Sequence, residues 1–285
     1  MHLINADLHS HSTVSDGTLA PEALAARARA KGVALWSLTD HDSLAGQARA
    51  REAAIAQGIG YLSGIELSAG FIGRSVHVVG LGFDADDERL IEGVRSIREG
   101  RLGRARRIGE ALAAAGLPGT YEGALRMAGD AELVARTHFA RHLVEVGHFA
   151  DVHEVFRHVL ADGKPGHVPH TWATLREAVG WISAAGGIAV LAHPARYRFT
   201  PTEEYALFTE FAGVGGRGVE VLSGSHSVPE QVVYAEMALE FGLLASRGSD
   251  FHAPGESRTE LGALPVLPGR LTPVWEALAD RVQRG

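Results

Sequence analysis

Residues 3–12 read Leu-Ile-Asn-Ala-Asp-Leu-His-Ser-His-Ser. The segment 3–9 suits a short buried strand, and His9 and His11 flank one residue at its end, so in an extended chain both imidazoles fall on the same face. Outward from this point, apolar strands alternate with amphipathic helices. Pro21 sits near the start of a helix that runs to about Lys31 and stops at Gly32, and 35–39 is the next strand. Ser43 is expected to cap a helix ending near Gln57 and Gly58. Two further strands follow at 61–67 and 76–83. Such alternation argues for a mostly parallel sheet covered by helices.

From about Asp86 to Leu175 helical periodicity takes over, with expected helices at 88–115, 121–127, 138–146 and 151–160. Strand–helix alternation resumes with strands at 187–192, 218–222 and 243–246, and a helix near 273–282 closes the chain. The expected organisation is therefore one α/β domain, 1–99 and 171–285, interrupted by a helical insertion at 100–170 that acts as a substrate cap.

Histidines and carboxylates gather at the ends of these strands. Asp16 follows His11 in a Ser-Asp-Gly turn, His41 lies in Thr-Asp-His-Asp (39–42), and Glu66 ends the third strand in Gly-Ile-Glu-Leu. His193 ends the fifth in Ala-His-Pro, and Asp250 and His252 end the last in Ser-Asp-Phe-His. His77 is the exception, at the start of its strand. In α/β barrels the strand ends converge on one rim, where the chemistry takes place. Nine such groups exceed what one ion can use, and imidazole with carboxylate suits Mn²⁺, Zn²⁺ or Fe²⁺. By contrast His2, His142, His148, His153 and His158, in helical or terminal context, read as ordinary surface or core residues.

Composition narrows the function. The 285 residues contain no cysteine, which excludes disulfides, thiolate ligands and a cysteine nucleophile and fits a reducing cytosol. No uninterrupted apolar run approaches the ~18 residues of a membrane helix, and no signal peptide is evident. A net charge of −7 argues against a surface built to grip duplex DNA. Cations bound at a carboxylate-rich site would still allow a compact nucleotide to bind.

The motifs His9-Ser10-His11, Asp16-Gly17, Thr39-Asp40-His41-Asp42, Gly64-Ile65-Glu66, His77, Ala192-His193-Pro194 and Ser249-Asp250-Phe251-His252 resemble the PHP (polymerase and histidinol phosphatase) domain family over about 1–85 and 187–260. The resemblance implies a distorted (β/α)₇ barrel of the amidohydrolase type carrying two or three divalent ions, Mn²⁺ foremost. It assigns His9, His11, Glu66 and Asp250 to one ion. Glu66, His77 and His193 would hold a second, and Asp16, His41 and His252 a third. Asp7-Leu8-His9-Ser10-His11-Ser12, Arg136-Thr137-His138-Phe139-Ala140 and the 163–169 segment Gly-Lys-Pro-Gly-His-Val-Pro resemble the branch acting on nucleoside 3′,5′-bisphosphates and short RNA 5′ ends.

The expected reaction is hydrolysis of the 3′-phosphate of a nucleoside 3′,5′-bisphosphate by attack of a metal-bound hydroxide, with possible 5′-to-3′ trimming of short RNA, in the cytoplasm. Asp250 would orient the attack, and His252 or Asp42 would handle protons. Arg196, three residues after His193, would join Arg136, His138 and Lys164 in binding substrate; Arg196 and Arg136 would clamp the phosphate that is not cleaved. Phe139, Trp172 or Tyr197 could stack on the base. Arg95, Arg98, Arg101, Arg104, Arg106 and Arg107 read as a solvated helix whose charges spread around its axis. Alternatives are histidinol-phosphate phosphatase, which shares barrel and metals, a polymerase-associated proofreading module, and a non-catalytic metal-binding regulatory protein.

Overall fold

A computed structural model describes residues 4–129, 131–170 and 172–285. The chain divides into two compact units, one formed by 1–94 with 172–285 and the other by 95–171. The division thus falls at Val94 rather than near residue 99. Met1, His2 and Leu3 lie outside the described residues.

The first unit begins with β1 (Ala6–Asp7), α1 (Pro21–Ala30), β2 (Leu35–Trp36), α2 (Gln47–Ala56), β3 (Gly60–Tyr61), β4 (Gly64–Phe71) and β5 (Arg74–Leu81). The long α3 (Glu88–Ala114) leads into the second unit, which holds α4 (Thr120–Ala128), α5 (Arg136–Glu145) and α6 (Val152–Val155) followed by a π-helical turn, Phe156–Leu160. The first unit resumes with β6 (Ala173–Thr174), α7 (Leu175–Ala184), β7 (Ile188–Leu191), α8 (Pro201–Gly213), β8 (Gly218–Ser223), α9 (Val228–Glu240), β9 (Leu244–Gly248) and α10 (Val274–Ala277). The expected strand at 61–67 is two strands, because β3 pairs with β2 in one sheet and β4 with β5 in the other, with residues 62–63 between them. Ser43 does not cap α2, which starts at Gln47 behind Gly46.

Among the described residues the strands form two sheets rather than one continuous closed barrel. One has the order β1-β2-β3, all parallel, and the other β6-β4-β5-β7-β8-β9. Isolated bridges tie them, His41 to Glu66 and Ser10 to Phe251, with Leu8 N–H donating to Arg247 O at 3.1 Å. The sheet is also less parallel than the alternation suggests. β5 runs antiparallel to both β4 and β7, because Ile72 and Gly73 close a two-residue hairpin that leaves no room for a crossover. This reversal resolves the odd position of His77. In an antiparallel strand the N-terminal half lies beside the C-terminal ends of its neighbours, so His77 reaches the same rim.

Each unit has its own core. In the first, α1 and α2 bury Leu24, Ala28, Ala50 and Ala54 against Trp36, Leu38, Ile59 and Tyr61. In the second, Ile108 and Leu112 of α3 pack with Phe139 and Leu143 of α5, Val155 and Leu160. Phe139 is wholly buried there, so it is a core residue and not a base-stacking group. Replacing 95–171 with a short flexible loop should therefore leave a folded first unit, with a cooperative thermal transition and retained metal binding. Loss of cooperative unfolding would show that the helical unit completes the core of the other.

Candidate metal centre

Glu66, on β4, is fully buried, and five imidazoles reach its carboxylate. His9 Nε2 and His11 Nε2 lie 3.1 and 3.2 Å from Oε2, and His41 Nδ1 3.0 Å from the same oxygen. His77 Nδ1 and His193 Nε2 lie 2.7 and 2.9 Å from Oε1. Asp250 joins through Oδ1, 3.6 Å from His9 Nε2 and 3.3 Å from His11 Nε2. Asp16 Oδ1 lies 3.3 Å from His252 Nε2. All nine residues expected as ligands are thus brought to one locus.

Their grouping differs in part from the expected one. His9, His11, Glu66 and Asp250 form one set of possible ligand atoms within 4.8 Å of one another. A second contains His41, Glu66 and His77, with His193 beside His77 on Glu66 Oε1. The third, Asp16, His41 and His252, also takes in His11.

This donor set fits cations. Ligand atoms bonded at 2.0–2.1 Å to a tetrahedral ion sit about 3.4 Å apart, and the His9, His11, Glu66 and Asp250 atoms converge at 3.1 to 3.6 Å. Several of the converging atoms are buried without a hydrogen bond: Glu66 Oε2, Asp250 Oδ1 and His41 Nδ1. Leaving such atoms unsatisfied is costly unless something else occupies their lone pairs.

The electrostatics agree. Burial opposes charge on Glu66, Asp16 and Asp250, yet the surrounding histidines, and for Asp250 also Arg196, hold all three well below the usual carboxylate range. Burial likewise works against protonation of His11, but the adjacent Asp250 and Glu66 carboxylates overrule it and raise its pKa to about 10. His193 goes the other way, to about 4, through burial and the nearby Arg196.

Local backbone geometry aims these side chains. Asp42, His193 and Asp250 have positive φ, a left-handed conformation costing roughly 1–3 kcal/mol each outside glycine, which turns the chain sharply at a strand end. Asp250 is held by its N–H bond to His9 O at 2.9 Å. His193 is held by Glu220, whose Oε2 accepts the His193 N–H at 2.7 Å while Oε1 accepts from His9 Nδ1 at 2.6 Å. That bond fixes His9 with its Nε2 lone pair toward the cluster. Glu220 was not legible beforehand: it lies in the middle of β8 in an ordinary Val-Glu-Val run.

The other substrate and proton-handling candidates scatter. Both oxygens of Asp42 accept from Ser68, from N–H at 2.7 Å and from the hydroxyl at 2.8 Å, which makes it a loop anchor instead of a proton carrier. Asp40 does the same for the segment leading to Asp16, accepting from Ser12 N–H, Ser12 Oγ and Ser15 Oγ. His252, partly exposed like His41 and His77, has its Nδ1 donating to Asp250 O at 2.9 Å. Arg196 Nη1 donates to Asp250 Oδ2 at 2.5 Å, so it belongs to the metal cluster. Tyr197 is pinned between His77 N–H and Ala192 O, both at 2.8 Å, and is not placed to stack on a base. Arg136, His138 and Lys164 lie in the helical unit. There His138 Nδ1 accepts from Ala135 N–H at 3.0 Å, an N-cap role for α5, and Lys164 is exposed.

Comparison with known proteins agrees with the motifs. Residues 7–205 match the PHP domain. The chain is 48% identical to the 3′,5′-nucleoside bisphosphate phosphatase of Chromobacterium violaceum over 99% of both chains. It is 40% identical to the 5′-3′ exoribonuclease Rnm of Escherichia coli, over 95% of this chain and 92% of that one. The structure of an amidohydrolase from Chromobacterium violaceum, with bound sulfate and no metal, superposes with a TM-score of 0.95 at 48% identity over 98% of both chains.

Two outcomes follow from this geometry. Glu220→Gln keeps the shape of the side chain but offers one acceptor where two are used, so metal affinity should fall by about 10- to 100-fold in titration calorimetry. An unchanged affinity would remove Glu220 from the centre. Second, metal must displace the proton from His11, which the metal-free site holds up to about pH 10. Titrations in buffers of differing ionisation enthalpy should register proton release near pH 7.5, declining as pH approaches 10.

Proposed function

This chain belongs to the PHP domain family, and from that premise we propose that it is a metal-dependent phosphatase removing the 3′-phosphate of nucleoside 3′,5′-bisphosphates. The observation that carries the reading is the convergence of imidazole and carboxylate atoms around Glu66, in a chain nearly half identical end to end to a phosphatase of that name. We propose two or three divalent ions, Mn²⁺ foremost, a cytoplasmic setting, and a helical unit that covers the substrate. Such ions supply Lewis acidity and make water a competent nucleophile near neutral pH.

The chain's own groups do the rest. Glu220 fixes the His9 ring, and Asp250 offers Oδ1 to the cluster while Oδ2 holds Arg196. Arg196 is about half exposed, so its planar guanidinium can present further N–H donors to oxygens of the reacting phosphate as charge develops there. We therefore assign it to the phosphate being cleaved, in place of the remote clamp expected from sequence. We assign proton transfer at Nε2 to His252, whose Nδ1 is held by Asp250 O, for the state with two ions in which His252 is not a ligand.

A second activity, 5′-to-3′ trimming of short RNA, is supported by the similarity to the exoribonuclease. Phosphate release from adenosine 3′,5′-bisphosphate, histidinol phosphate and a short 5′-phosphorylated RNA, each with Mn²⁺-reconstituted and metal-free protein, tests both. Turnover of the bisphosphate by reconstituted protein alone is expected; full activity in protein shown metal-free by elemental analysis would end the proposal. Arg196→Ala should lose roughly 2–4 kcal/mol of transition-state binding, about 30- to 1000-fold in kcat/KM, for both the bisphosphate and an aryl monophosphate. A loss confined to the bisphosphate would return Arg196 to the uncleaved phosphate.

A further inference from the structure

The outer end of the β4–β5 hairpin is packed on one face and thinly furnished on the other. An unbroken register pairs Glu66 with Val79, Ser68 with His77, Gly70 with Ser75 and Phe71 with Arg74. Side chains alternate along a strand, so positions 66, 68, 70, 75 and 77 share the face turned to the metal centre, and Phe71 and Arg74 share the other. On that other face Phe71 is buried and its ring meets Phe199 at 5.7 Å. The Arg74 guanidinium lies over the same Phe199 ring at 5.2 Å, with Nη1 donating to Tyr197 O at 3.0 Å. On the inner face, at the same level, stand a glycine and a serine, both partly exposed.

Gly70 has no structural reason to be glycine. Inside a strand this residue costs conformational entropy, and it is kept for a bulge, for close approach of another backbone, or for a ligand. The register runs through Gly70 without a bulge, and its φ is not positive. Among the described residues, the nearest heavy atom to a Cβ added there, chain neighbours aside, is Ala173 O at 3.9 Å, an ordinary contact distance. Beside it the Ser75 hydroxyl makes no hydrogen bond among the described residues, and such a group can both donate and accept.

We infer that Gly70 and Ser75 form the seat for the sugar of the phosphate ester, next to His77. The pair stands two residues beyond Ser68 and His77, roughly 6–7 Å along the strands. A phosphate held at His77 and its fellow ligands places its esterified alcohol over Gly70, where the missing side chain leaves room for a ring. Ser75 Oγ then meets a hydroxyl of that ring, a partner that an aryl alcohol does not offer. The pair thus favours sugar phosphates over other monoesters. The ligand class rests on the reading of the chain as a nucleotide phosphoesterase; the seat rests on the strand geometry.

Calorimetry on Mn²⁺-loaded, full-length protein tests this with two unreactive phosphonates: methylphosphonate, which has no sugar, and a nucleoside 3′-methylenephosphonate, which has one. The parent protein should bind the nucleoside phosphonate more tightly, by about 10-fold or more. Gly70→Val should weaken that binding by about 10-fold or more and Ser75→Ala by about 3- to 10-fold, with methylphosphonate and Mn²⁺ affinities unchanged. Valine suits a strand better than glycine, so Gly70→Val should also keep or raise the thermal midpoint. Ser75→Ala, which removes a single hydroxyl, carries the test should Gly70→Val fold poorly. Equal binding of the two phosphonates by the parent, or nucleoside phosphonate affinity indifferent to both substitutions, would overturn the seat. Parallel losses of methylphosphonate and Mn²⁺ would do the same, by making the pair structural. The phosphatase reading fails separately, if the parent discriminates between the phosphonates yet does not turn over the bisphosphate.

Discussion

Glu66 is a carboxylate with no exposure to water, set among His9, His11, His41, His77 and His193. Burying an isolated carboxylate costs several kcal/mol even after relaxation, so its surroundings must repay that cost. The five imidazoles come from the segment after β1, the segment after β2, β5 and the segment after β7. Their simultaneous approach constrains where each strand can end. The bridge between His41 and Glu66, with Asp42 N–H donating to Glu66 O at 3.0 Å, also makes this locus one of the places where the two sheets are tied.

The remaining buried carboxylates divide by what their oxygens touch. Asp16 and Asp250 turn toward imidazoles of the candidate metal centre. Asp7, Asp40 and Asp42 turn toward backbone N–H groups and serine hydroxyls. Asp7 accepts from Ser249 and Gly262 N–H at 2.9 and 2.8 Å and so locks the segment that presents Asp250. Burial raises the pKa of Asp7 and of Asp40, against the pull of those hydrogen bonds. Glu220 belongs to both kinds, with one oxygen on a ligand ring and the other on the strained His193 backbone. The precision of the centre comes from this supporting layer, because a ligand held only by its own rotamers would not keep its lone pair on target.

The two units differ in charge as they differ in architecture. The carboxylates that serve cations lie in the first unit, and a small positive excess lies in the second. Arg196 is the exception, a fixed cation paired with Asp250 inside the metal cluster.

By itself the sequence determined which imidazoles and carboxylates meet. Imidazole and carboxylate chemistry is written in residue type, and a strand end leaves a side chain with few directions to face, so all nine expected ligands meet. It also determined the helical interruption, because periodicity is a local property. Tertiary structure alone decided the rest. The reversal of β5, which brings His77 to the rim, depends on a hairpin whose tip, Ile72 and Gly73, carries only half of the usual turn signature. The roles of Asp42, Tyr197 and Arg196 turned on a partner 26, 120 and 54 residues away in the chain, which no local pattern specifies. Glu220 was hidden for the same reason: its two partners, His9 and His193, lie far away in the chain and folding alone brings them together.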